Sequence, residues 1–282
     1  MHCQFYTLAD LKLRFLSDEP LDITAESLPF VTDDPGGVDL TIRIRRVGSL
    51  PPLPEGGIRD NGRCLLGNTV FHCNGQNKPP YAMVTYLPSR DIQIDYLPQQ
   101  GVDLTKTAGL ISTLGLETLL LGFDALILHS SFISWEGTGI LFSAPSGTGK
   151  STQAGLWQKH AGADILNGDR ACIRRTAEGW RAYGMPYAGS SDIFRNESVP
   201  LGAIVILRQA PENRIRRVGP REAFGSLMPE FSIHRWDAEF MNRALDLVSE
   251  LLGRIPVYLL ECLPDADAVR VLQTKLREEV KQ

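Results

Sequence analysis

The stretch Gly139-Ile140-Leu141-Phe142-Ser143-Ala144-Pro145-Ser146-Gly147-Thr148-Gly149-Lys150-Ser151-Thr152 decides how this chain is read. Its first five residues form an apolar run suited to a strand, and residues 152–159 suit a helix. Strand, glycine loop, Lys-Ser and helix, in that order, is the context a phosphate-binding loop requires. Gly147 and Gly149 can take positive φ and turn backbone N–H groups toward an anion with no Cβ in the way. The helix that begins near Lys150 adds orphan N–H donors and a positive dipole end. Lys150 is expected at the β- and γ-phosphates and the Ser151 hydroxyl on Mg²⁺. Pro145, Ser146, Thr148 and Thr152 complete the expected nucleotide-contacting loop. One departure stands out: the general pattern has glycine at position 144, where this chain has alanine followed by proline, so the loop should begin in a more extended conformation.

At 282 residues the chain has room for two domains. A net charge of −4 and a pI near 5.8 argue against nucleic acid as the main partner. The basic runs 43–46 and 214–217 are interrupted by isoleucine and read as strands with one solvated face. The five cysteines are scattered without a C-x-x-C pair, which fits a reduced, cytoplasmic setting rather than zinc or disulfides. The first residues lack a basic segment and an apolar core, so no signal peptide is expected. The most apolar stretch, 110–133, is broken by Glu117, Asp124 and His129, which suits a membrane span poorly. Self-association is left open.

Residues 1–105 read as a β-rich domain of short β-runs, 4–8, 11–16, 38–44, 81–86 and 92–96, of which the second and third alternate apolar with polar residues. It shows no catalytic constellation. From Leu104 the period changes to that of a buried helix through Phe123. Runs 125–129 and 132–135 look like strands, with a turn at Gly137-Thr138-Gly139. After the loop come a strand at 163–166, the turn Asn167-Gly168-Asp169-Arg170 and a hairpin from 171–175 to 180–183. A strand at 201–207, a helix at 238–252, a strand at 257–261 and a helix at 267–279 complete the pattern. Residues 106–282 therefore form one α/β unit.

The residues from His129 through Ser151 resemble the core of the HPr serine kinase/phosphorylase family, with its histidine, glycine turn, apolar strand and S-G-x-G-K-S loop in ungapped spacing. The loop is also similar to that of phosphoenolpyruvate carboxykinase, and Asp169-Arg170 matches the end of the family's Asp-Asp-Arg motif. The chain looks closest to HPr kinase-related proteins of peptide-modification systems, whose substrates include serine in a precursor peptide. The resemblance implies an α/β P-loop kinase core behind a β-rich N-terminal domain. It further implies an ATP-dependent kinase. Gly168 stands where the family has the first aspartate, and its glycine-rich signature tied to the phosphorylase reaction is absent, so the reverse reaction is not expected.

Phosphoryl transfer asks for positioning and charge neutralisation. The expected cofactors are ATP and Mg²⁺, with Ser151 and Asp169 as metal ligands. Asp169 is the candidate acceptor of the hydroxyl proton, with His129 as helper or base. Both have plainer readings, Asp169 as a turn former and His129 as a structural strand-end residue. Arg195, in the polar segment 189–197, is either an exposed loop arginine or a lid residue aimed at the developing phosphoryl charge. Trp157 and Trp236 are read as helix core rather than base stackers. The leading acceptor is a serine or threonine of a peptide or small protein. A small metabolite is the second reading, and a nucleotide-responsive binding module without catalysis is the third.

Overall fold

The computed structural model describes residues 1–75, 78–98, 102–187 and 189–280. It is a mixed α/β structure with two large sheets, divided into two compact units. One comprises Met1–Leu119 with Arg235–Ala238, and the other Leu120–His234 with Glu239–Gln282.

The first unit is built on strands β1 (His2–Leu8), β2 (Leu11–Ser17), β3 (Val31–Thr32), β4 (Leu40–Arg46), β5 (Ile58–Asp60), β6 (Arg63–Leu66), β7 (Thr69–Cys73), β8 (Pro80–Tyr86) and β9 (Ile92–Tyr96). They form one sheet in the order β3-β1-β2-β4-β9-β8-β7-β6-β5. The alternation read from the sequence sets the buried face: Leu11, Leu13 and Phe15 point inward along β2. Strands β5 to β7 were not read from the sequence. The first of them has no buried residue, and such a strand carries no hydrophobic period to detect.

Helix α1 (Thr107–Leu114) belongs to this first unit, although its sequence was assigned with the C-terminal domain. Hydrogen bonds explain its membership. Tyr86 Oη donates to Leu114 O at 3.0 Å, and the Thr24 amide donates to Thr107 Oγ1 at 3.0 Å. Gly115, in the left-handed region at φ 67°, ends α1, and α2 (Leu116–Leu121) follows, so the single long helix expected here is two short ones.

The second unit contains β10 (Ala125–Trp135), β11 (Thr138–Ser143), α3 (Lys150–Ala161), β12 (Asp164–Asn167), β13 (Arg170–Thr176), β14 (Gly179–Tyr183), β15 (Ser198–Gln209), β16 (Arg214–Arg217), α4 (Pro220–Leu227), α5 (Ala238–Arg254), β17 (Val257–Cys262) and α6 (Ala266–Val280). The two strands read before the glycine loop are one continuous β10. Its first half pairs with β13 and its second half with β11. The turn after it is Glu136-Gly137, both at positive φ, which suits the twist of a tight hairpin. Strand β15 likewise serves β14 at its start and then runs parallel to both β11 and β17. These shared strands join β11, β10, β13, β14 and β15 into a closed ring.

Period-two burial packs both faces of the parallel strands. Ile140, Phe142, Val205 and Leu260 face Trp157 of α3 and Leu272 of α6. Leu141, Ile204 and Leu259 face Leu247 and Leu251 of α5. Trp157 is fully buried, as read, and truncating it to alanine should cost about 3–5 kcal/mol. Trp236 instead precedes α5, with the Arg63 guanidinium 5.6 Å above its ring. No helix among the described residues is long and apolar enough to cross a membrane.

Candidate functional site

The parallel strands β11, β15 and β17 end on the same side of their sheet, where α/β folds present ligand-contacting loops. Residues 144–149 leave β11 there and deliver the chain into α3. Gly147 (φ 80°) and Gly149 (φ 117°) occupy the left-handed region, as the sequence required. Ala144 is 2% exposed and packs with Phe142 and Trp157, which explains the methyl group where the pattern has glycine. Pro145, Ser146 and Gly147 are exposed, Thr148 and Gly149 half-buried, and Ser151 and Thr152 exposed on the first turn of α3. The Thr148 amide donates to Pro145 O at 3.3 Å, and Gln209 Nε2 donates to Thr148 O at 3.2 Å, which ties the loop to the end of β15.

Lys150 is buried beneath this loop, its Nζ donating to Ala144 O at 2.8 Å and Pro145 O at 3.4 Å. Burial pushes its pKa down from the ordinary lysine value. The carboxylates of Glu230 and Asp169 oppose that shift and the Arg170 guanidinium adds to it. The β12–β13 turn and the loop after α4 are thus within electrostatic reach of the same ammonium group.

Asp169 follows β12 in a turn that a different residue holds. Asn167, fully buried, accepts the amides of Asp169 and Arg170 on Oδ1, each at 2.9 Å, and donates from Nδ2 to Met185 O at 2.7 Å. The turn-forming role considered for Asp169 therefore falls to Asn167, and the Asp169 carboxylate is left to face outward. Its Oδ1 lies 3.8 Å from His129 Nε2 and its Oδ2 lies 3.4 Å from Arg170 Nε. Gly189 presses its backbone against this carboxylate: a Cβ there would come within 2.8 Å of Asp169 Cβ, and its φ is 55°.

His129 sits where β10 changes partners. Glu230 Oε2 accepts from His129 Nδ1 at 2.8 Å, and the His129 amide donates to Glu230 O at 2.9 Å. With the proton on Nδ1, the Nε2 lone pair points toward Asp169, so two proton acceptors converge. Arg170 reaches Ser232 Oγ at 2.7 Å from its other end, and its guanidinium stands 5.8 Å from the Tyr187 ring centroid. Arg195 is placed differently. Its amide donates to Leu166 O at 3.0 Å, but its side chain is 44% exposed and pairs with Glu197 at 3.7 Å.

Glu230 and Asn167 were not singled out in the sequence. Glu230 is 101 residues from His129 along the chain and has no local motif around it. The bridge between Leu128 and Phe231 is what brings it opposite the imidazole. Asn167 was legible only as part of a turn.

A family model described as "ScmC: SynChlorMet cassette protein ScmC" matches residues 116–264, more than half of the chain. The chain belongs to the ScmC family. The matched segment contains the glycine loop, His129, Asp169 and Glu230, so the ScmC-family region and the cluster coincide. Among solved structures the chain is similar to the HPr(Ser) kinase/phosphatase from Coxiella burnetii, at 11% identity and a TM-score of 0.34. That likeness covers 55% of this chain and 99% of the other, and is too slight to fix the fold. No curated protein matches.

Proposed function

We propose that this ScmC-family chain is an ATP-dependent kinase that transfers the γ-phosphate to a hydroxyl, the acceptor being a serine or threonine of a peptide or small protein. One observation supports this most. The lysine that follows the glycine loop shares an electrostatic environment with Asp169 and Glu230, and through them with His129. A cation for phosphate and a pair of proton acceptors are what phosphoryl transfer to a hydroxyl needs within reach of one another.

In this reading the loop amides and Lys150 hold the β- and γ-phosphates, and Arg170 adds positive charge beside them. The acceptor oxygen bonds to the γ-phosphorus as the bridge to the β-phosphate breaks, and ADP leaves. The hydroxyl proton passes to Asp169, with His129 Nε2 as the adjacent acceptor. Glu230 keeps the imidazole in the tautomer that can accept.

A divalent ion is compatible with the donors present. Among the described residues no group of three or more His, Cys, Asp or Glu side chains could hold a metal alone. Mg²⁺ does not need one, because it keeps water and phosphate ligands and takes one or two protein oxygens. Ser151 and Asp169 would supply those oxygens, and the ion would neutralise charge on the phosphates.

The test is a transfer screen with γ-labelled ATP and Mg²⁺ against peptides, small proteins and metabolites. Label is expected on a serine or threonine hydroxyl. ATP bound but transferred to nothing would favour a nucleotide-responsive binding module, and label only on a metabolite would replace the acceptor. The phosphorylated product, incubated with millimolar phosphate, is expected to release no pyrophosphate, since Gly168 removes one of the carboxylates the reverse reaction would use.

A further inference from the structure

Glu230 and Ser232 stand two residues apart and serve two different groups of the site. Glu230 Oε2 accepts from His129 Nδ1 at 2.8 Å, and Ser232 Oγ accepts from Arg170 Nη1 at 2.7 Å. His129 and Arg170 are themselves opposite each other in the β10–β13 register. Alternate residues of an extended segment lie on one face, so one short stretch of chain sets both the imidazole and the guanidinium. Phe231, between them, is 5% exposed and belongs to the core. Backbone bonds fasten the stretch to β10: the His129 amide donates to Glu230 O and the Ser232 amide to Ile127 O, each at 2.9 Å.

That fastening is short. It is an isolated bridge between Leu128 and Phe231 rather than a ladder, and residues 233–237 after it are neither helix nor strand. A segment with so few bonds opens locally at a fraction of the global stability, unless its far end is held. The far end is residues 235–238, which are grouped with the first unit. There the Arg63 guanidinium stands 5.6 Å over the Trp236 ring and donates to Glu117 Oε1 at 3.3 Å. Arg63 and Glu117 come from β6 and α2, so the half-buried indole is clasped by elements distant from it in sequence. Little chain separates Trp236 from Ser232, and a ring that lets go frees the stretch that carries Glu230.

We infer that Trp236, held by Arg63, is a positioning residue that keeps Glu230 on His129 and Ser232 on Arg170. The inference rests on the kinase reading above for what His129 and Arg170 do. It adds two residues that touch neither nucleotide nor acceptor, and it gives β6, in a unit without a catalytic constellation, a part in the reaction.

The experiment takes two readouts from the full chain. One is the Nδ1–H resonance of His129 in nitrogen-labelled protein, in mildly alkaline buffer where an ordinary imidazole is neutral, assigned by its loss in His129→Asn. The other is kcat and KM for ATP in phosphoryl transfer. Trp236→Ala should expose the Nδ1 proton to rapid solvent exchange and lower kcat about tenfold, with KM for ATP unchanged. Trp236→Phe keeps a ring face for the guanidinium and should restore both. If Trp236→Ala does not fold, Arg63→Met decides, since it removes the charge and keeps the aliphatic stem. A protected Nδ1 proton and wild-type kcat in the folded variant overturn the inference, as does a loss that Trp236→Phe leaves unrestored. A wild-type chain that transfers phosphate to nothing overturns the kinase reading instead, and the His129 resonance still decides whether Trp236 positions the imidazole.

Discussion

The two units use their low-exposure polar groups in opposite ways. In the first, they are paired across or along strands and hold register. Arg45 clasps the 6%-exposed Asp95 carboxylate at 2.7 Å between neighbouring strands, and Arg14 donates to Thr41 at 2.9 Å. His72 is buried in the same sheet, and desolvation, aided by the nearby Arg63 charge, takes its pKa down to about 3. In the second unit, His129 of β10 and its cross-strand partner Arg170 at the start of β13 meet Asp169 of the preceding turn, Lys150 at the start of α3 and Glu230 after α4. Each of them has a side-chain partner or a facing charge there, drawn from elements distant in sequence. A polar group that holds a sheet together is satisfied by its neighbour strand, whereas the second unit's charged groups converge from several elements.

That contrast can be broken most forcefully at Lys150. Lys150→Ala should lower ATP turnover by about a thousandfold and leave the far-UV circular dichroism unchanged. Wild-type affinity and turnover in this variant would move the site elsewhere. Asp169→Asn keeps the shape but removes the charge, and should lower transfer by about a hundredfold while nucleotide is still bound. An unaltered rate and Mg²⁺ requirement would reduce Asp169 to a member of its turn.

In the first unit the expected handle is pH. Unfolded His72 takes up a proton below about pH 6.5, whereas the folded residue resists until about pH 3. Stability from this group is therefore complete above the unfolded value and lost as pH falls, by about 1.4 kcal/mol per pH unit. Urea unfolding at pH 7, 6 and 5 should show this slope in wild type and a shallower one in His72→Leu. Equal slopes would mean that the imidazole is not held neutral. The smallest effect expected is at Glu230. Glu230→Gln can still accept from Nδ1, so the rate should fall only about fivefold, with the melting temperature held. No change in rate would leave Glu230 as a structural neighbour of His129.

Much of the fold was legible because it rests on local patterns. The alternating runs of β2 and β4 and the apolar stretch of β15 announce strands, and the patterns of α5 and α6 announce helices. The glycine loop was legible for the same reason, since positive φ at Gly147 and Gly149 is a property of the residue type. Strand β5 was not, because it is exposed on both faces.

What the sequence by itself determined is the set of elements and the loop that joins β11 to α3. The resemblance to the HPr serine kinase/phosphorylase family also pointed to two of the groups that meet there, His129 and Asp169. Only the tertiary structure decided that β10 is one strand shared between two partners. It alone gave Glu230 the task of holding His129, and Asn167 the turn that frees Asp169. The physical reason is range. A strand period or a glycine's φ is fixed within a few residues, whereas the His129–Glu230 bond spans 101. It exists because a bridge between Leu128 and Phe231 aligns two distant segments.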